Sequence, residues 1–220
     1  MNSSLLDGPF RGLQCGDMKV FFARHGESEA NLLRVMSNRD MAHRLTANGR
    51  EQALLLAKCL AGKGIGHVYA SPICRARETA EIVADELDVP LTLADGLREF
   101  DCGVLEGRGA PEAWEKHHWV QNQWYFHNDP DARIEGGENF LEIETRFRET
   151  FDKALEGHDE TDSAILFVTH GAALTAMMPL LLDNVTLENL WEHGLKYITV
   201  IEAAKDGNKW VCARWNGEWF

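Results

Sequence analysis

The segment Val20-Phe21-Phe22-Ala23-Arg24-His25-Gly26-Glu27 decides how this chain is read. A run of β-branched and aromatic residues reads as a buried strand, and Gly26 lets the chain turn sharply as it leaves the sheet. Arg24 and His25 then stand at the carboxyl end of a strand, where open α/β sheets build their ligand sites. The arrangement recurs late in the chain, where Ala164-Ile165-Leu166-Phe167-Val168-Thr169 runs into His170-Gly171. Packing alone gives no reason for two strands each to deliver a histidine followed by glycine. If the strands are neighbours, the two imidazoles face each other across one pocket.

Outward from these two strands, strand and helix patterns alternate, which predicts a three-layer α/β/α sandwich around a mostly parallel six-stranded sheet. The strand candidates are 19–23, 67–70, 90–93, 164–169, 197–202 and 209–214. A helix over 47–61 is N-capped by Thr46, with Leu54, Leu55, Ala57 and Leu60 as its apolar face. A second opens after Ser71-Pro72, with proline in its first turn, and a third follows Gly136-Gly137. Asp206-Gly207-Asn208 predicts a hairpin between the last two strands. Residues 1–17 read as an amino-terminal arm and 18–220 as a single domain. The stretch at about 106–135, rich in tryptophan and holding His117, His118 and His127, has irregular spacing and reads as an insertion over one end of the sheet. It is either a lid on the site or a flap with its own aromatic core.

Composition removes several classes. A chain of 220 residues with 45% hydrophobic content buries a full core, and no apolar run approaches the roughly 20 residues of a membrane span. The first residues lack the basic and apolar regions of a secretory signal. The five cysteines are scattered and form no CxxC pair, which argues against a disulfide framework or structural zinc and points to a reducing, cytoplasmic setting. A net charge of −13 argues against nucleic acid and anionic membrane as partners, but a few converging arginines can still hold a small anion. Nothing in the sequence sets an oligomeric state.

Two further places carry chemistry. Ser71-Pro72-Ile73-Cys74-Arg75-Ala76-Arg77 follows a strand and opens a helix, so backbone N–H groups and the helix dipole favour an anion there. Arg75 can fork onto phosphate oxygens. Leu97-Arg98-Glu99-Phe100-Asp101-Cys102-Gly103 places carboxylates on a loop after a short strand. Two arginines, two histidines and a carboxylate at strand ends suit the binding and cleavage of a phosphate monoester.

With these residues in view, the chain resembles the histidine phosphatase superfamily, which includes cofactor-dependent phosphoglycerate mutases and many phosphatases. The matching residues are Arg24-His25-Gly26-Glu27-Ser28 with Asn31, Leu45-Thr46 with Gly49 and Gln52-Ala53, Ser71-Pro72 through Arg75-Ala76 and Thr79-Ala80, Leu97-Arg98-Glu99 with Leu105-Glu106-Gly107, Gly136-Gly137-Glu138, and Val168-Thr169-His170-Gly171. They occur in the family's order over about 19–174. The resemblance implies that His25 is a nucleophile forming a phosphohistidine, and that Arg24, Arg75, His170 and Asn31 hold the phosphoryl oxygens. It further implies that Glu99 is the proton donor, and that neither metal nor cofactor takes part. Asp101 competes with Glu99 for the acid role, and Arg77 is expected on the solvated helix face.

The expected activity is hydrolysis of a small phosphorylated metabolite. The alternatives are a cofactor-dependent phosphoglycerate mutase and, from another class, a weakly active member binding a phosphorylated ligand or protein. Phe100-Asp101-Cys102-Gly103 stands where mutases carry an Arg-His-Tyr-Gly type segment, and the extra acid is expected to repel a second phosphate. Leu105 replaces the tryptophan of the Trp-Glu-Gly motif that many phosphatase members carry.

Overall fold

The computed structural model describes residues 18–39, 41–156 and 163–220; the expected amino-terminal arm at 1–17 lies outside them. Seven strands form one sheet: β1 (Lys19–Arg24), β2 (Ile65–Ala70), β3 (Leu91–Leu93), β4 (Ala164–Thr169), β5 (Val200–Asp206), β6 (Lys209–Trp215) and β7 (Glu218–Trp219), in the order β3-β2-β4-β1-β5-β6-β7. The first four in this order are mutually parallel, while β5, β6 and β7 continue the sheet antiparallel. The six expected strands are present, and β7, two residues long, extends the edge. The helices are α1 (Glu29–Leu33), α2 (Ala47–Leu60), α3 (Cys74–Leu87), α4 (Pro111–Phe126), α5 (Phe140–Glu156), α6 (Gly171–Leu181) and α7 (Leu187–His193).

Strand alternation divides β1 between two cores. Val20 and Phe22 point into one with Phe147, Phe151 and Phe167, and Phe21 and Ala23 point into the other with Leu56, Leu60, Val83 and Leu166. Both faces of β1 and β4 are thus covered, which is why their sequences read as continuous apolar runs rather than alternating ones. The register pairs Arg24 with Thr169, so the residues that follow, His25 and His170, leave adjacent strands at the same height.

Local signals set the helices with three corrections. Thr46 caps α2 by accepting the Gly49 N–H at 2.9 Å, but the buried face is Gly49, Ala53, Leu56, Ala57 and Leu60. Leu54 and Leu55 lie off that stripe and are exposed, because the 3.6-residue period turns them toward solvent. Pro72 precedes the first turn of α3 rather than occupying it; Ile73 is the N-cap and the helix begins at Cys74. The tryptophan-rich stretch is not irregular: α4 is one 16-residue helix that buries Ala113, His117, Val120 and Trp124, spaced four, three and four residues apart. The stripe was obscured because one of its members is a histidine. Its buried residues join the main core beside Phe100, so it has no aromatic core of its own.

The turn after β1 is held by close backbone approach. A Cβ on Gly49 would stand 2.0 Å from the Glu27 carbonyl oxygen, so only glycine lets the start of α2 press against that turn. The Gly26 N–H donates to Thr79 Oγ1 at 3.1 Å, and Thr79 donates to the Arg75 carbonyl at 2.7 Å. The turn bearing His25 is thereby tied to the helix bearing Arg75. Among the described residues, no helix is long and apolar enough to cross a membrane.

Candidate active site

The site lies at the carboxyl ends of the parallel strands. His25 and His170 are both buried, with ring centroids 5.1 Å apart at 60°. The His25 Nδ1 is 2.7 Å from the Gly26 carbonyl, an acceptor only, so the proton sits on Nδ1 and Nε2 carries a lone pair. Arg75 Nε donates to that Nε2 at 3.0 Å. Burial, followed by the positive charges of Arg75 and Arg24, holds the imidazole well below its ordinary pKa of 6.5 and therefore neutral. A neutral imidazole with a directed lone pair is what nucleophilic attack on phosphorus requires.

Arg75 is buried, and burial lowers its pKa to about 10, which leaves it charged at neutral pH. Its Nη1 donates to the Ser37 carbonyl at 2.5 Å and its Nη2 to Asn38 Oδ1 at 3.3 Å. Arg24 donates through Nη1 to the Leu195 carbonyl at 2.5 Å, with its guanidinium carbon 4.8 Å from the centre of the Tyr197 ring. Its buried Nε has no protein partner among the described residues. His170 Nε2 lies 2.8 Å from Ser71 Oγ, which already accepts the Ile73 N–H, an arrangement that favours the His170 proton on Nδ1. That Nδ1 is likewise buried without a protein partner. Two orphaned donors beside a neutral imidazole fit an anion between them.

Glu99 lies at the start of α6. Its Oε1 accepts the Ala173 N–H at 2.8 Å and the Phe100 N–H at 3.1 Å, and its Oε2 accepts the Ala172 N–H at 3.0 Å. Oε2 keeps a lone pair for a proton. Asp101, its competitor, faces elsewhere: Arg39 Nε donates to its two oxygens at 2.8 and 2.9 Å, and the Gly103 N–H donates to it at 2.8 Å. Glu99 lines the cavity that holds His25; Asp101 does not. The expectation that Asp101 repels a second phosphate is therefore corrected, because its charge is matched by Arg39 and stands outside the site. Arg77 pairs with Glu81 at 3.4 Å on the partly exposed face of α3.

Asn31 lines the cavity, with its Oδ1 accepting the Ser28 N–H at 3.0 Å and hydroxyl at 2.8 Å, which leaves Nδ2 for a ligand. His117 lines it too, whereas His118 and His127 are exposed. No cluster able to hold a metal ion occurs among the described residues. Sequence reasoning missed Ser37, Asn38, Gln121 and Tyr197, and reached Trp114 only as part of the tryptophan-rich stretch read as a lid or flap. Glu106, which belonged to the matched motif, was the one signal for Asn38: its carboxylate accepts the Asn38 and Arg39 N–H groups at 2.9 and 3.1 Å. Asn38 Nδ2 in turn donates to the Phe100 carbonyl at 2.9 Å, linking Arg75 to the loop of Glu99.

Two facing histidines on adjacent parallel strands, two buried arginines and a carboxylate at a helix start converge on one cavity. The chain belongs to the histidine phosphatase superfamily (branch 1), whose family model matches residues 20–218. It is 32% identical over 165 residues to "Probable phosphoglycerate mutase GpmB" of Salmonella paratyphi B, covering 75% of each chain. Among solved structures, it is similar to Bacillus stearothermophilus YhfR, with 28% identity and a TM-score of 0.75 over 92% of this chain and 98% of that one. It is also similar to the alpha-ribazole phosphatase of Shigella flexneri, with 25% identity and a TM-score of 0.71 over 90% and 96% of the two chains. Mycobacterial glucosyl-3-phosphoglycerate phosphatase, at 20% identity and a TM-score of 0.73 over 91% and 99%, shares the fold. The protein is an enzyme of the histidine phosphatase class.

Proposed function

We propose that the protein hydrolyses a small phosphate monoester through a phosphohistidine at His25. The observation that carries this is the unprotonated His25 Nε2, which accepts the Arg75 Nε–H at 3.0 Å while the ring proton on Nδ1 is engaged by the Gly26 carbonyl. In the first step, the Nε2 lone pair forms the N–P bond as the P–O ester bond breaks, and a proton from Glu99 goes to the departing oxygen. Arg24, Arg75, His170 and Asn31 hold the non-bridging oxygens, where prealigned donors act most strongly on the transition-state charge. In the second step, Glu99 takes a proton from water, the new O–P bond forms, the N–P bond breaks and phosphate leaves. The free thiols of Cys59, Cys74, Cys102 and Cys212 support a reducing, cytoplasmic setting.

Quenching during turnover with a ³²P-labelled ester, without acid, is expected to trap an acid-labile, base-stable label on His25, absent in His25→Ala. Label on a serine or cysteine, or full activity in His25→Ala, overturns the proposal. The name of the Salmonella relative supports a second reading, return of the phosphoryl group to a glycerate. Interconversion of 2- and 3-phosphoglycerate that depends on added bisphosphoglycerate and outpaces phosphate release would establish it.

A further inference from the structure

The cavity at His25 encloses about 320 Å³, and its walls differ sharply in character. Among the described residues, Arg24 and Arg75 are the Lys or Arg residues that line it, and the charges of both act on His25, where the phosphoryl group is proposed to bind. The rest of the lining includes the apolar Val35, Met36, Trp114 and Leu195, with Gln121 and Thr175 as neutral polar groups. Among the described residues, no third Lys or Arg lines this cavity.

The aromatic wall is built in advance rather than assembled from mobile side chains. Trp114 Nε1 donates to the Arg34 carbonyl at 3.0 Å, which fixes the indole of α4 against the turn after α1. The chain can approach there because residue 109 is glycine; a Cβ would stand 2.6 Å from the same carbonyl oxygen. Behind the indole, His117 packs edge-on at 5.2 Å and lies 4.8 Å from Phe100, the residue next to Glu99. Burial and then the neighbouring His118 lower the pKa of His117 to about 4, so this histidine adds no charge at neutral pH. The wall thus begins beside the proton donor, where the leaving oxygen must emerge.

Resting on the hydrolase reading above, we infer that the substrate is a monoester of an uncharged alcohol with a flat or apolar face that packs on Trp114, and not of a carboxylate- or phosphate-bearing alcohol. An anionic leaving group would lose its hydration on entering and meet Glu99, with no Lys or Arg beyond Arg24 and Arg75 among the described residues lining this cavity, whereas an aromatic face gains contact with a fixed indole.

The test compares kcat/KM of the full-length protein for benzyl phosphate, phosphoglycolate and methyl phosphate, three esters with alkoxide leaving groups. Benzyl phosphate is expected to exceed phosphoglycolate by about tenfold or more, and Trp114→Ala to lower the benzyl-to-methyl ratio by about tenfold, chiefly through KM, with Trp114→Phe restoring most of it. Equal or better use of phosphoglycolate, or a benzyl-to-methyl ratio that Trp114→Ala leaves unchanged, overturns the assigned substrate class while the hydrolase reading stands. Failure of all three esters together with no label on His25 removes the hydrolase reading itself, and the inference with it.

Discussion

Arg75 Nε donates to His25 Nε2 at 3.0 Å, so a buried cation meets the lone pair to which the proposal assigns attack on phosphorus. The contact suppresses protonation of the imidazole and also fixes its aim. Because Arg75 has two more donors spent on Ser37 and Asn38, its position depends on the 35–39 loop rather than on the helix that bears it.

The pH profile follows from that contact. With His25 held well below 6.5 by burial and then by Arg75, the acidic limb of log kcat/KM assigned to its protonation is expected below pH 6.5. Arg75→Gln removes one of the two charges, so the limb moves to higher pH while kcat falls. NMR titration of the His25 ring checks this, and an unshifted limb in Arg75→Gln would assign the depression to burial alone.

The same histidines link stability to pH. His25, His170 and His117 all have folded-state pKa values below the unfolded value of about 6.5, so above that pH they cost nothing. As pH falls through 6.5 the unfolded chain binds protons that the native site refuses, and stability drops by up to about 1.4 kcal/mol per pH unit for each such histidine. Below pH 4 the His117 contribution to the slope ends. Denaturant unfolding between pH 7 and 5 is expected to show this decline, and His117→Phe to make it shallower.

Glu99 and Asp101 are separable by leaving group. Glu99→Gln is expected to slow alkyl esters by about a hundredfold or more while slowing 4-nitrophenyl phosphate far less, because nitrophenolate departs without a proton. Asp101→Asn keeps the parent dependence, since its carboxylate is tied to Arg39 outside the cavity. Its stability cost is expected near 1 kcal/mol or less, as Asp101 is 32% and Arg39 43% exposed. A leaving-group signature in Asp101→Asn would reverse the assignment.

Gly49→Ala tests the close approach behind the catalytic turn. Alanine raises helix propensity by about 1 kcal/mol in α2, but the new Cβ would sit 2.0 Å from the Glu27 carbonyl. Forced overpacking of about 1–3 kcal/mol outweighs that gain, so Tm falls, and the displaced turn lowers kcat as well. A variant with raised Tm and unchanged kcat would contradict the packing described.

Chelation is expected to leave activity unchanged, because Arg24 and Arg75 supply the positive charge at the phosphoryl site. Loss of activity in EDTA that magnesium or zinc restores would show that the charge is supplied otherwise.

The amino-acid sequence by itself determined the strands β1 and β4, since residues buried on both faces leave a continuous apolar run, and it placed Arg24, His25 and His170 at their ends and Arg75 in the first turn of a helix. These are local matters: which side of a strand or helix is buried is written in its own periodicity. It also carried the motif order of the superfamily, and hence Glu99. Only the tertiary structure decided which polar groups meet. Asp101 looked like a second acid until Arg39, 62 residues away, closed on it; Tyr197 gave no sign of serving Arg24, and Asn38 was signalled only indirectly, through Glu106. The stripe of α4 was hidden because His117 is polar by type and neutral only by burial. Ion pairing and charge state depend on what other loops bring near, and that proximity is a property of chain closure that no local pattern records.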